Sequence, residues 1–464
     1  MSKFDFDVAI IGGGSGGYAA ARTAAAAGLR VVVVEGGREV GGLCILRGCM
    51  PTKALLYAAD VLQLTRNAST WGIRAPAIHF DFAAVMARKN AMIKEFAGYR
   101  VQQLTGGKFK FVRAHAHFTD PHTLALSNGG TLTAEHFVIS TGSVVSQPPL
   151  PGLKQTGYLT SDEALSLTAL PKSLIVLGGG AVAVEFAQFF ARFEVEVTLI
   201  QRSAHLLRDF DTDAAVELEK VFRREGIRVF TDTRLTEAGR EGSVKVLTFE
   251  HAGETVRVAA EEILFALGRT PHTAALGLEQ AGVRTTERGR IITNAQMQTT
   301  TPHIYAAGDC TGPHEIVHVA IQQGEIAAHN LAPGGGQRAM DYRLLTSVVF
   351  TDPQIGCVGL TEQAAHAGDI PYLTASYPFN DHGKSLIMEA KDGFVKLLAN
   401  PATGEILGGC CVGPLGGELI HEIIAAMAKR MTVHELAAMP HYHPTLAEIW
   451  TYPAEELAEK ISVG

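Results

Sequence analysis

Residues Asp7–Gly37 read DVAIIGGGSGGYAAARTAAAAGLRVVVVEGG. An apolar run, a glycine turn, an alanine-rich stretch, a second apolar run and a terminal acid follow in that order. Gly12, Gly14 and Gly17 have the G-x-G-x-x-G spacing, which permits a tight turn, close backbone approach to a pyrophosphate and helix-on-sheet packing. Glu35 ends the second predicted strand, where a carboxylate accepts hydrogen bonds from a ribose diol. The glycine pattern alone is weak. With strand, helix and acid all in place it predicts a dinucleotide-binding βαβ unit.

A second copy begins at Ser173 with SLIVLGGGAVAVEFAQFFARFEVEVTLIQRS. Gly178 and Gly180 keep the first two glycines, and Ala183 takes the third position, an accepted replacement. Two such units imply two dinucleotides, which suits a flavin and a nicotinamide. Glu35 lies 23 residues after Gly12, and the residue 23 after Gly178 is Gln201. The acid that favours an unphosphorylated ribose is therefore an amide in the second copy. Arg202 and Arg208 follow, both able to pair with a 2′-phosphate, which tilts the coenzyme towards NADP(H). The plain alternative is that both arginines are solvated and Gln201 bonds the diol.

Just after the first fingerprint, GGLCILRGCMPTKALL (Gly41–Leu56) holds Cys44 and Cys49 with four residues between them. In a regular helix their Cα atoms would stand roughly 8.6 Å apart, beyond the roughly 4.4–6.8 Å of a disulfide. The pair can bridge only where the backbone is irregular, and Gly48 makes a distortion cheap. Pro51 suits the first turn of a following helix, whose N-terminus stabilises a thiolate. A cysteine pair beside a bound flavin points to electron exchange between that flavin and a disulfide.

The 464 residues are too many for one core, and 49 glycines with 47% hydrophobic content fit an α/β protein rich in tight turns. A formal charge of −7 without a basic stripe argues against nucleic acid as a partner. Six cysteines are too few for a disulfide scaffold, so a redox pair in an otherwise reduced chain reads as cytoplasmic. The start MSKFDFDVAI runs straight into a strand with no signal-peptide features. Charges such as Glu185 and Arg192 interrupt the longest apolar stretches, so no membrane span is expected.

FVISTGS (Phe137–Ser143) reads as a strand before the proline-rich crossover SQPPLPG, and ILFALGRTPH (Ile263–His272) as the return, with Gly268 in its turn. Thr141 and Gly142 follow the first of these strands, and Gly308-Asp309 end another, TPHIYAAGDCTG. A carboxylate at that point reaches ribityl hydroxyls, although Gly-Asp after a strand is usually just a turn. After the break LAPGGGQ the chain reads as a separate α+β domain, with strands in SVVFTDPQIGCVGL and hairpin chemistry at Asp392-Gly393. The vicinal Cys410-Cys411 in ILGGCCVGP reads as core. Near the end, HYHPTLAEIW places Glu448 five residues after His443, and a histidine oriented by a carboxylate suits acid–base work on a thiol. The spacing is not H-E-x-x-H, so no metal site is expected.

Together the two fingerprints, GGLCILRGCMPTK, GRTPH, YAAGD, FTDPQIGCVGLTE and HYHPTLAE resemble the class I pyridine nucleotide–disulfide oxidoreductases over essentially the whole chain. The resemblance implies an α/β fold with two Rossmann-like dinucleotide-binding domains, for FAD and NAD(P), and a C-terminal α+β dimerisation domain. The implied boundaries are 1–147 and 271–340 for the FAD and central parts, 148–270 for NAD(P) and 341–464 for the interface. It also implies a homodimer in which the C-terminal histidine serves the cysteines of the other subunit. Carried over, Cys44 is similar to the interchange thiol and Cys49 to the flavin-side thiolate. Lys53 and Glu185 match the pair whose ammonium lies near the flavin. His443 is similar to the base and Glu448 to its orienting carboxylate, while Glu35 and Asp309 would hold FAD.

Within the family the chain is most similar to dihydrolipoamide dehydrogenases, which implies a lipoyl-bearing carrier protein or small dithiol as substrate. EIVHVAIQQG (Glu315–Gly324) offers no arginine for a glutathione carboxylate. Mercuric reductases carry a vicinal cysteine pair at the extreme C-terminus, whereas this sequence closes with KISVG and keeps His443. The alternatives are an NADPH-driven reductase of a small disulfide or Hg(II), and a transhydrogenase or diaphorase with the cysteines as bystanders.

Overall fold

The computed structural model describes residues 3–75, 77–147 and 150–461. Pro148 and Pro149 of the crossover and the last three residues of KISVG lie outside them. The chain forms two compact units, one from Met1–Ala54, Ala84–Gln147 and Gly268–Met340, the other from Leu55–Ala83, Pro148–Leu267 and Asp341–Gly464.

In the first unit the strand Phe6–Ile11 lies between Val31–Glu35 and Thr131–Ile139, parallel to both. Lys110–Arg113 and Ile304–Ala306 extend the parallel sheet on its two sides. Strands covered on both faces read as unbroken apolar runs, and Val8, Ala9 and Ile10 are fully buried. The helix Ser15–Ala26 starts in the glycine turn and crosses back over the sheet. A Cβ on Gly17 would lie 1.9 Å from the Gly12 carbonyl oxygen, so only glycine lets helix and strand approach this closely.

The second unit opens with a parallel sheet ordered Arg228–Phe230, Glu196–Ile200, Ser173–Leu177, Glu262–Phe265. An antiparallel meander, Thr233–Glu241, Val244–His251 and Glu254–Ala260, accompanies it. Its C-terminal part is a five-stranded antiparallel sheet ordered Thr346–Val349, Gln354–Gly359, Ile406–Gly413, Phe394–Ala399, Leu373–Pro378. The helices Gly416–Ala428 and Thr451–Lys460 cover one face of it over a core that includes Phe379, Ile420 and Trp450. Asp392-Gly393 is not a hairpin apex: the strands on either side are joined through a 3-10 turn and the short helix Gly383–Ile387. Gly393 is kept instead by close packing, since a Cβ there would lie 1.9 Å from the Val412 carbonyl oxygen.

The helix Ala181–Arg192 ends on a buried cation. Arg192 Nη1 lies 2.7 Å from Asp60 Oδ1, and its Nη2 lies 2.7 Å from both Glu225 Oε1 and Asp352 Oδ2. Burial, opposed by Arg192, pushes the Asp60 carboxyl up to about 6. Arg192→Leu is expected to cost about 3 kcal/mol, the low end for breaking a buried pair, because Asp60 and Asp352 keep contact with water. Urea melts at pH 7.5 and pH 5 check the sign. The loss should shrink at pH 5 as the stranded carboxylates take up protons, and an equal loss at both would refute the charge argument.

Candidate active site

The first glycine turn closes with the Gly12 amide donating to the Val34 carbonyl at 2.8 Å. Gly14 caps the helix Ser15–Ala26 with no side-chain bond, so the amides of its first turn stay available to an anion. Glu35 lies beneath this turn. Its Oε2 accepts from the Gly13 amide at 2.7 Å and its Oε1 from the Gly37 amide at 2.6 Å. Both oxygens retain lone pairs for a ribose diol.

One cavity is lined by this turn at Gly14 and by Gly142, Asp309 and Glu315, and on another side by Cys44 and Cys49. Asp309 Oδ2 accepts from Ser143 Oγ at 2.7 Å, and that hydroxyl accepts from Arg269 Nε at 2.7 Å. The Gly308 amide donates to Gln323 Oε1 at 2.7 Å, which fixes the turn carrying Asp309. Burial, reinforced by Asp309, raises the Glu315 carboxyl above its usual range. Thr141 Oγ1 is buried without a partner among the described residues. An orphaned hydroxyl, a glycine cradle and an acid placed for a diol fit a bound FAD.

The cysteine loop is irregular. The short helix Gly42–Leu46 carries Cys44, and a new helix, Cys49–Arg66, begins at Cys49. Close approach explains the intervening glycine better than a special torsion: a Cβ on Gly48 would lie 3.2 Å from Cys44 Cα. Neither cysteine is in a disulfide. A hydrogen bond with Cys49, and then burial, hold the Cys44 thiol far above its ordinary range, while the cations Arg100 and Lys53 oppose this. Cys44 therefore needs a base to act as a nucleophile.

Arg100 has no motif to announce it. Its guanidinium lies 4.4 Å from the Tyr18 ring centroid, its Nε donates to Gln103 Oε1 at 3.1 Å, and its Nη1 is buried without a partner among the described residues. It sits on the helix Phe82–Thr105, far in sequence from the cysteines, so only folding shows it acting on Cys44.

In the other unit, His443 Nδ1 lies 3.0 Å and 3.1 Å from the two oxygens of Glu448, which itself is buried. A carboxylate on Nδ1 favours the tautomer with an unprotonated Nε2, and the His443 side chain is 78% exposed. A second histidine, His382, also lies on Glu448, with Nε2 at 3.4 Å from Oε1 and Nδ1 at 2.8 Å from Ser385 Oγ. It is fully buried, and burial lowers its pKa below the ordinary value. Its Nε2 is buried without a hydrogen-bond partner among the described residues, and nothing in the local sequence marks it.

Glu185 is buried on the helix Ala181–Arg192, and its Oε1 accepts from the Phe350 amide at 2.9 Å. Gly178 and Gly180 form the second turn, Gly180 caps that helix, and Ala183 is buried against the sheet. Gln201 repeats the placement of Glu35. A Cβ on Gly179 would meet its Cδ at 2.8 Å, and its Oε1 accepts from the Arg202 amide at 3.0 Å. Arg202 is exposed, and Arg208 lines a depression with Ser203 and His205, its Nε 3.5 Å from Asp209. Gly268 directly precedes Arg269–Pro271, which pairs antiparallel with Ser143–Val145, and its carbonyl accepts from the Ser146 amide at 3.1 Å. Among the described residues no cluster of three or more metal-ligating side chains occurs, and no helix is long and apolar enough to cross a membrane.

Two dinucleotide turns and a dithiol on the cavity of the first define a flavin-dependent disulfide oxidoreductase. The chain belongs to the pyridine nucleotide-disulphide oxidoreductase family, whose model matches residues 6–324, and the family's dimerisation domain matches residues 345–454. Dihydrolipoyl dehydrogenase of Thermus scotoductus is 37% identical, covering 97% of each chain. Mercuric reductase of Streptomyces lividans is 36% identical, covering 98% of this chain and 97% of its own. Among solved structures, LpdA from Mycobacterium tuberculosis superposes with a TM-score of 0.88 at 29% identity, covering 97% of this chain and 99% of its own. The HOCl-induced flavoprotein disulfide reductase RclA from Escherichia coli gives 0.86 at 27% identity, covering 97% and 99%.

Proposed function

We propose that this protein oxidises dihydrolipoamide, free or on a carrier protein, with NADP⁺ as the favoured acceptor, as a homodimer whose active site is shared between subunits. The observation that carries the reading is the opening of Cys44 and Cys49 onto the cavity built by the first fingerprint and Asp309. FAD bound there would link a dithiol to a nicotinamide by two-electron transfer. Glu35, Thr141, Gly142 and Asp309 would hold it, with the first-turn amides on its pyrophosphate. His443 takes the proton of a substrate thiol on Nε2, and Glu448 stabilises the resulting imidazolium. The substrate thiolate attacks Cys44 Sγ of the oxidised pair, the Cys44–Cys49 bond breaks, and Cys49 leaves as a thiolate at its helix N-terminus. The second substrate thiol then displaces Cys44 and releases the cyclic disulfide. Lys53 adds positive charge beside the pair, and Glu185 is its proposed counter-ion.

A second reading, reduction of a small disulfide or Hg(II) by NADPH, is supported by the mercuric reductase relative. Steady-state turnover of the yellow protein with dihydrolipoamide separates the two. Turnover with either coenzyme supports the first reading; none, together with NADPH-dependent reduction of glutathione disulfide or Hg²⁺, supports the second. The NADP⁺ preference rests on Gln201 and the exposed Arg202. Arg202→Ala should lower kcat/KM for NADP⁺ about tenfold, as for one charge-assisted hydrogen bond, and leave NAD⁺ unchanged. An equal fall for both coenzymes would remove Arg202 from phosphate recognition.

A further inference from the structure

The antiparallel register of the C-terminal sheet places Ser347, Cys357, Cys410, Lys396 and Ser376 in one row across all five strands. Side chains alternate along a strand, so directly opposed residues share a face, and the neighbouring Cys411 points the other way. The vicinal pair is therefore split. Cys411 packs into the apolar core with Ile420 and Trp450, whereas Cys410 meets Cys357 with the sulfurs 2.6 Å apart. Both are buried, as core packing requires, but on opposite faces of the sheet. Further along the row, Lys396 Nζ is buried and bound by Asp211, Asp213 and Glu362 at 2.7–2.9 Å.

We infer that Cys357 and Cys410 are a second dithiol–disulfide site, separate from Cys44 and Cys49. Directly opposed antiparallel residues have Cα atoms roughly 4.5–5.5 Å apart, inside the disulfide range. The bond thus forms without moving the strands. A shared metal ion fits worse: two sulfurs on one ion at about 2.3 Å each would stand roughly 3.8 Å apart or more, and these two are closer. A peroxide is the oxidant. It converts one thiol to a sulfenic acid with release of water, and the second thiol displaces a second water to close the S–S bond. Two electrons pass from the thiols to the peroxide, and no electron passes through the flavin cavity.

The test uses the FAD-loaded Cys44→Ser/Cys49→Ser protein, which keeps Cys310, Cys357, Cys410 and Cys411. Thiols are counted after hydrogen peroxide treatment and denaturation, and again after dithiothreitol. The expected result is a fall from four to two that dithiothreitol reverses, with a peptide linking Cys357 to the 410–411 segment. Adding Cys411→Ala should preserve the linked pair, and adding Cys410→Ser should abolish it. Four persistent thiols, a loss that dithiothreitol cannot reverse, or a link that survives Cys410→Ser would overturn the inference.

Discussion

Replacing Cys44 by serine is expected to lower dihydrolipoamide oxidation by about three orders of magnitude or more, as for removal of the residue that carries the covalent intermediate. FAD should remain bound, because the fingerprint turn, Glu35 and Asp309 are untouched. The hydroxyl is nearly isosteric but is neither a leaving group nor half of a disulfide. Stopped-flow anaerobic reduction by dihydrolipoamide, with the flavin absorbance as a loading control, measures the effect. Near-normal turnover would make the cysteines bystanders and favour a diaphorase. Loss of FAD would mean that the site had collapsed, so the variant would not report on the chemistry.

His443→Gln should cost about 10²–10⁴ in kcat/KM near neutral pH, the range for removing a general base. The loss is large because without the base the substrate thiol stays mostly protonated near neutral pH, and only its thiolate attacks the oxidised Cys44–Cys49 pair. Raising the pH should recover part of the rate as hydroxide ionises the substrate thiol. Glu448→Gln should lose less, since the amide oxygen can still accept from His443 Nδ1 and hold the ring in place. The shared-site arrangement has its own signature. Mixing Cys44→Ser and His443→Gln subunits under exchange conditions should restore roughly a quarter of native activity, because half of random dimers then hold one intact site of two. No recovery despite demonstrated exchange would place base and cysteines on the same subunit or remove His443 from catalysis.

Much of the site was legible because its chemistry is local in sequence. The glycine spacing sets a turn within six residues, the cysteines share one loop, and Glu448 reaches His443 across five positions. Glu35 and Gln201 could be compared by offset alone, and both lie beneath the equivalent glycine of their turns. Arg100, His382, Gln323 and the Ser143–Arg269 pair were not legible, since each acts through a neighbour distant in the chain.

From sequence alone came the two dinucleotide units, the redox loop, the histidine–carboxylate pair and the family they imply, because periodicity and short-range spacing encode backbone turns directly. Tertiary structure alone decided which polar atoms lie unpaired around the flavin cavity and which cations act on Cys44. It also decided that Cys410 and Cys411 belong to opposite faces of one sheet. Strand register causes that last separation: neighbours in the chain are parted by the pleat, while Cys357, 53 residues away, is brought to Cys410 by the ladder of hydrogen bonds between strands.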